Sequence, residues 1–516
     1  MKPSVSSWLV LALVTCAYAS DAYKILVVFP MPGKSHTILG EGVVRHLAAA
    51  GHEITFITST IRKNPPPNVR QIDVTANYKL LKEDMLSIQN IMDKNTSTDV
   101  KFIMEMMMQV HNETLFNPNV QALLLNPEER FDLIIVEWMF SELYSSFSAI
   151  FNAPYVWVST VEPHWMVLRL IDERSNPAYT ADITSANTYP FSFKERVQQL
   201  LIQIGISALK YFYINTFENK VYNSLEKYIR LRGREPPAFK EVVFNASLIL
   251  GNSHVSLGQA MTLPPNYINV GGYHIESNPK PLPDDLQKLL DNAKHGLIYF
   301  SMGSNLRSKD LPDQVKRDLL KMFGALKQTV LWKFEEVLPD MPDNVHILNW
   351  APQPSILAHP NCVLFITHGG LLSTTETIQF ATPIIGVPVF ADQFINVERA
   401  VKKGFAKRVD LSYQLAAELK VAIDEVLNDP SYTNKVKELS FVYHDRTVPP
   451  GAELVHWVEH VIKTNGAPHL RSPALDVPIY QKLYLDFAAL VLVAIYLIVT
   501  AFKRIFGKTS TKSKRD

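Results

Sequence analysis

Two rhythms of apolar and polar positions alternate along this chain. YKILVVF (23–29), FDLIIVEW (131–138) and APYVWVST (153–160) are near-continuous apolar runs, the pattern of strands covered on both faces of a parallel sheet. LGEGVVRHLAAAGH (39–52) and SELYSSFSAIFN (141–152) instead show the helical period. With EITFITS (53–59) the first of these helices completes a βαβ unit, and NPPPN (64–68) then breaks the pattern. The second half repeats the alternation. GLIYFSMGS, TVLWKF, NVHILNWAP, CVLFITHGG and PIIGVPVF read as strands, with helices over QVKRDLLKMFGAL and STTETIQF. Strands alternating with helices predict parallel α/β domains. The Gly/Pro-rich stretch 268–286 is the best boundary between them. The expected organisation is therefore an α/β fold of two Rossmann-like domains facing a central cleft, with domains at 20–270 and 287–470 joined by a linker at 271–286. Small ligands belong at the carboxyl ends of the strands, in the crevice. Residues 192–232 read as a long amphipathic helix; a face packed on the core is the commoner outcome, with a pocket wall or a membrane contact as alternatives.

The two ends carry apolar segments of a different kind. MKPSVSSWLVLALVTCAYAS offers a lysine, a short apolar core and the small-x-small triplet Ala17-Tyr18-Ala19, the anatomy of a signal peptide (1–19). LYLDFAALVLVAIYLIVTAF (483–502) is long enough to span a bilayer and is followed by a basic tail, 503–516, which the positive-inside rule keeps cytosolic. Together they predict a single-pass protein whose bulk is lumenal or extracellular. The sequons at Asn95, Asn112 and Asn245 fit a secretory compartment. Cys16 leaves with the signal, so Cys362 stands alone and no internal disulfide is expected. The tail ends KSKRD, with lysines third and fifth from the end. This looks like a dilysine signal for return to the endoplasmic reticulum, with a plain basic anchor as the alternative.

The charge balance, +1 from 51 basic and 50 acidic residues, gives no global field to hold nucleic acid. FPMPGKSHTIL (29–39) follows the first strand and suggests a phosphate loop, but the Gly required four residues before Gly-Lys-Ser is Val28. Lys34 is thus read as an ordinary loop lysine. The densest chemistry lies in 350–396. There a strand, the turn His368-Gly369-Gly370 and a helix start offer free backbone N–H groups and a favourable dipole to an anion. His368 at its mouth can donate to a phosphate oxygen, Glu376 can accept from a sugar hydroxyl, Trp350 offers a flat face to a base, and Asp392 and Gln393 can bind hydroxyls.

This cluster resembles the signature of the UDP-glycosyltransferases, in particular the animal membrane-bound UDP-glucuronosyltransferase family. The match comprises Trp350 and Gln353, Leu357 to Pro360, Thr367 to Gly370, Ser373, Thr374, Glu376, Pro383, Pro388, Asp392 and Gln393. The resemblance implies a GT-B fold with an N-terminal acceptor-binding and a C-terminal UDP-sugar-binding domain. It also implies roles. Trp350 stacks on uracil, and Gln353 holds the ribose or base. His368 and the amides around Gly370 and Ser373 take the diphosphate, with Ser304 on the phosphate side. Glu376 binds ribose, and Asp392 and Gln393 bind the transferred sugar. The family's base after the first strand falls on His36, and its acid partner on Glu137, where the family has Asp; Asp132 is a more distant alternative. Two further departures are Leu372, where the family often has Asn, and Ala381, where it has Gly. HGGLL and the tail look more like invertebrate members.

The implied reaction is inverting transfer of a hexosyl group, glucose or glucuronic acid, from a UDP-sugar to a hydroxyl of a small lipophilic acceptor. It needs no metal and no cofactor beyond the UDP-sugar co-substrate. Detoxification or metabolism of lipophilic compounds is the expected setting, in the endoplasmic reticulum membrane. Whether the chain forms a homo-oligomer stays open. The rival reading is a non-catalytic lumenal membrane glycoprotein that binds nucleotide-sugars or lipophilic ligands.

Overall fold

A computed structural model describes residues 22–81, 87–93, 100–172, 175–276, 278–304 and 306–506. The signal segment, the Asn95 sequon and the last ten residues of the tail lie outside them. The chain divides into two units, Met1–Leu470 and Arg471–Asp516.

The larger unit is built on two parallel sheets. The first takes β1 (Lys24–Phe29), β2 (Glu53–Thr58), β3 (Val69–Asp73), β4 (Leu133–Trp138), β5 (Tyr155–Ser159), β6 (Leu248–Gly251) and β7 (Tyr267–Asn269) in the order 3-2-1-4-5-6-7. The second takes β8 (Leu297–Ser301), β9 (Thr329–Lys333), β10 (Val345–Leu348), β11 (Cys362–Thr367), β12 (Ile384–Gly386) and β13 (Ala406–Arg408) in the order 10-9-8-11-12-13. The apolar runs explain both. Ile25, Val27 and Phe29 feed one core cluster while Leu26 and Val28 feed the cluster on the opposite face. Ile298 and Phe300 likewise face away from Leu297 and Tyr299. A strand buried on both sides has no use for polar alternation.

The helices that matter for the site are α1 (Lys34–Ala49), α2 (Val100–Leu115), α3 (Phe193–Leu209), α4 (Asn215–Arg230), α5 (Leu371–Phe380), α6 (Gln393–Lys403) and α7 (Pro450–Lys463). α1 starts five residues earlier than its apolar period predicts, so His36 sits in a helical first turn rather than on a loop.

The halves interlock more than a simple linker suggests. α7, placed in the second domain by sequence, returns to the first sheet: Leu454, Val458 and Val461 share a core with β1 and α1. Ile88, from the first half, is buried in the core of the second. The expected linker is also shorter. Val270 and Tyr273 belong to the first core, and Leu286 and Leu290 to the second.

Of the described sequons, Asn245 is exposed after a short helix. Asn112 is half-buried within α2, and its Thr114 is fully buried and bonded to Asn77. Within the Asn112 triplet Glu113 is exposed, while the Thr114 hydroxyl is buried.

The second unit contains α8 (Leu485–Phe506), a 22-residue helix long and apolar enough to cross a membrane. At about 1.5 Å per residue it exceeds a hydrocarbon core of roughly 30 Å.

Candidate active site

The carboxyl ends of both sheets meet at one cavity of about 540 Å³. His36 lines it from the first half; Ser304, Trp350, Gln353, His368, Gly370, Ser373, Glu376, Asp392 and Gln393 line it from the second. Residues spread over more than three hundred positions of sequence thus share one space. Glu137 is not on the surface of this cavity but directly behind it.

His36 and Glu137 form a contact pair. Glu137 stands near the end of β4, and its Oε1 is in a short hydrogen bond with His36 Nδ1. The imidazole is 17% exposed and the carboxylate 1%. The ring therefore meets the cavity while the acid holds it from inside. Nδ1 is engaged, which leaves Nε2 to face a substrate. Burial works against a charge on the ring, but the Glu137 carboxylate, aided by Asp392, outweighs it and raises the His36 pKa above its ordinary value. The extra methylene of Glu is no obstacle. Asp132, by contrast, accepts the backbone N–H of Lys24 at 2.7 Å, at the far end of the sheet.

His368 has the opposite environment. Burial, and then the neighbouring Lys333 ammonium, push its pKa down to about 4. It is a neutral ring near pH 7, able to donate one hydrogen bond. Among the described residues its buried Nδ1 has no hydrogen-bond partner, the condition in which a ligand atom repays a desolvated group. Two glycines make room for it. A Cβ on Gly303 or on Gly370 would come within 2.6 Å of the ring. The turn leads into α5, whose first residues Leu371, Leu372 and Ser373 line the cavity.

The remaining polar wall is pre-bonded. Gln353 Nε2 donates to Glu376 Oε2 at 2.5 Å and to Ser373 Oγ at 3.1 Å, and Gln353 Oε1 accepts from the Tyr299 hydroxyl at 3.3 Å. Burial pushes the Glu376 carboxyl up to about 7 despite the Gln353 bond. A hydroxyl donor from a ligand would favour its charged form. Asp392 stands just before α6 without a side-chain capping bond and accepts from Asn396 Nδ2 at 2.8 Å; burial raises its pKa. Gln393 Oε1 accepts the Val389 and Phe390 amides, so only its NH₂ is left for a ligand.

Sequence reasoning missed two cations. Lys333 ends β9, lines the cavity and pairs with Glu335 at 2.6 Å. Its signal was a lysine at the carboxyl end of a parallel strand, where ligands sit. Lys34, read as an ordinary loop lysine, begins α1 and holds its ammonium 4.0 Å from the centroid of Trp350, across from the other half. Burial and then Lys333 lower its pKa. The apolar wall was also unnamed: Met106 and Met107 on α2, with Trp138 ending β4 and Met139 and Phe140 after it, line the first-half side.

The two departures have structural accounts. Leu372 packs against the core shared by β1 and α1, joining the halves by apolar contact. Ala381 ends α5 at φ 56°, ψ 42°, a left-handed position that glycine fills at no steric cost.

Comparison with known proteins places this geometry in a class. The fold is that of the GT-B glycosyltransferases. The glycosyltransferase of kitacinnamycin superposes with a TM-score of 0.57 at 16% identity, covering 86% of this chain and 100% of its own. A UDP-glucosyltransferase from Polygonum tinctorium superposes at 0.55 and 15%, covering 86% and 100%. The chain belongs to the UDP-glucoronosyl and UDP-glucosyl transferase family, which matches residues 24–516. It is 34% identical to UDP-glucosyltransferase 2 of Dactylopius coccus over 94% of this chain and 93% of that one. It is 28% identical to UDP-glucuronosyltransferase 2B13 of Oryctolagus cuniculus over 99% of each.

Proposed function

We propose that the protein transfers a hexosyl group from a UDP-sugar to a hydroxyl of a small lipophilic acceptor, with inversion at the anomeric carbon. The observation that carries this reading is the His36–Glu137 pair set across one cavity from the His368 turn. The acceptor lies against the methionine and aromatic wall. His36 Nε2 takes its proton, and Glu137 stabilises the imidazolium that forms. The oxygen attacks the anomeric carbon from the face opposite UDP. Neutral His368, the α5 amides and the Lys333 charge receive the developing diphosphate, a preorganised electrostatic effect. Trp350 serves the base, Gln353 and Glu376 the ribose, Ser304 and Ser373 the diphosphate, and Asp392 with Gln393 the sugar. No metal ion or separate cofactor is assigned a step.

The donor is UDP-glucose or UDP-glucuronate. The names of the relatives support both, and the chain's higher identity to the insect glucosyltransferase favours glucose. The setting is the endoplasmic reticulum membrane: α8 crosses it once, the signal segment is removed, and the globular unit, glycosylated at Asn245, is lumenal. The predicted signal segment and the lysines near the C-terminus support this orientation.

Full-length protein in detergent, offered a panel of UDP-sugars with a simple phenol, should form a β-glycoside from one of them. Binding of UDP without product from any donor would leave the non-catalytic reading instead.

A further inference from the structure

We propose that Tyr273 is a positioning residue for the proposed transfer, a role that rests on His36 being the base. Its phenol donates to the second oxygen of Glu137, through one buried water or a direct bond, and so holds the carboxylate that backs His36. Two complementary groups are buried without partners. Glu137 spends Oε1 on His36, while its Oε2 has no hydrogen-bond partner among the described residues. An ionised oxygen stranded in a core carries a penalty that a donor removes. The Tyr273 hydroxyl is the converse case: the residue is 1% exposed, and its oxygen has no partner among the described residues either. One bridging water between such groups is nearly as good as a direct bond.

The fold brings the two to one side of one sheet. Side chains alternate along a strand. Ile135 faces the core shared by β1 and α1, so Glu137, two residues on, projects from the same face. Tyr273 is packed in that core, and α1 grips it there. Arg45 Nη2 donates to the Tyr273 carbonyl at 2.9 Å, and His46 Nε2 does so at 2.8 Å. The ring lies against Gly42, where a Cβ would come within 3.1 Å of its edge. The helix that carries His36 in its first turn therefore also holds the Tyr273 ring. Burial, and then the Glu137 charge, keep the phenol pKa above its ordinary value, so the group stays a donor near pH 7.

A second phenol competes for this role. Tyr144 also feels the Glu137 charge, but it packs in the cluster on the opposite face, stacked on His111 with ring centroids 4.0 Å apart. Tyr273 is on the side from which Glu137 projects. The second anchor also answers a departure in the sequence. Glu has one more rotatable bond than the Asp the family carries there, and fixing both oxygens removes that freedom.

The test is a double-mutant cycle on full-length protein in detergent: Tyr273→Phe, Glu137→Ala and the pair, each read by Tm, UDP affinity and turnover. Y273F keeps the ring and its packing. With Glu137 present it should lower Tm and cut kcat about tenfold, with UDP affinity and the KM for the UDP-sugar unchanged. With Ala at 137 the same change should cost almost nothing in Tm or in residual kcat. Equal penalties in both backgrounds overturn the proposal, because a ring that only fills space costs the same in each. Coupling shown by Tyr144→Phe in place of Y273F overturns it too. A coupled Tm with kcat unmoved overturns the positioning role. The Tm cycle reads the pairing whether or not glycoside forms, so a wild type without product from any donor counts against the proposed transfer and not against the pairing.

Discussion

The cavity holds two histidines under opposite conditions. His36 is backed by a buried carboxylate that raises its pKa, and it keeps a small opening to the cleft. Among the described residues no carboxylate shifts His368; burial and the nearby Lys333 push it down to about 4. The same side chain thus becomes a proton acceptor on one wall and, near pH 7, a neutral hydrogen-bond donor on the other. What separates them is the charge placed behind each ring, since burial pushes both in the same direction.

That contrast can be broken one wall at a time. Replacing His36 by Ala should give the largest loss, with kcat falling about a thousandfold while UDP affinity, read by calorimetry, holds. Replacing His368 by Ala should cost less, on the order of a hundredfold in kcat, and should weaken UDP binding as well. If both variants gave the same pattern, the division of roles would be wrong.

The pH profile sharpens the comparison. A base must be neutral to act, so kcat/KM should rise with pH through a value above the ordinary 6.5 of histidine and fall on acidification. Glu137→Gln removes the raising charge and leaves burial, so its acid limb should move to lower pH beneath a reduced plateau. The H368A profile should keep the wild-type shape, because a group at about 4 does not titrate over that range. An E137Q limb unmoved from wild type would separate Glu137 from the base.

The smallest effect concerns the helix behind His368. Ala381→Gly relieves the left-handed C-cap of α5 and should stabilise the protein by about 1 kcal/mol, read as a raised Tm with kinetics unchanged.

The parallel sheets were legible because strands buried on both faces leave continuous apolar runs, a signal carried by local sequence alone. The second-half wall was legible too, since its residues fall within one strand-turn-helix segment and its neighbours. The return of α7 to the first sheet was not, because amphipathicity marks a face without naming its partner. α3 shows the same limit: its period was visible, but not that Ile202, Ile206 and Leu209 pack inward while Leu200, Leu201 and Ile204 stay exposed. His36 was reached through family resemblance. The structure supplies the physical reason the resemblance could not, a carboxylate one strand away at the end of β4. Lys34 and Lys333 were passed over because a single lysine carries no pattern until the fold gives it neighbours.

The most direct test of the account is a paired measurement on wild type and H36A with the preferred UDP-sugar and a phenol: UDP affinity and glycoside formation on the same preparations. Equal UDP affinity, with β-glycoside from wild type and almost none from the variant, is the predicted result. Undiminished transfer by H36A at matched UDP affinity would contradict it.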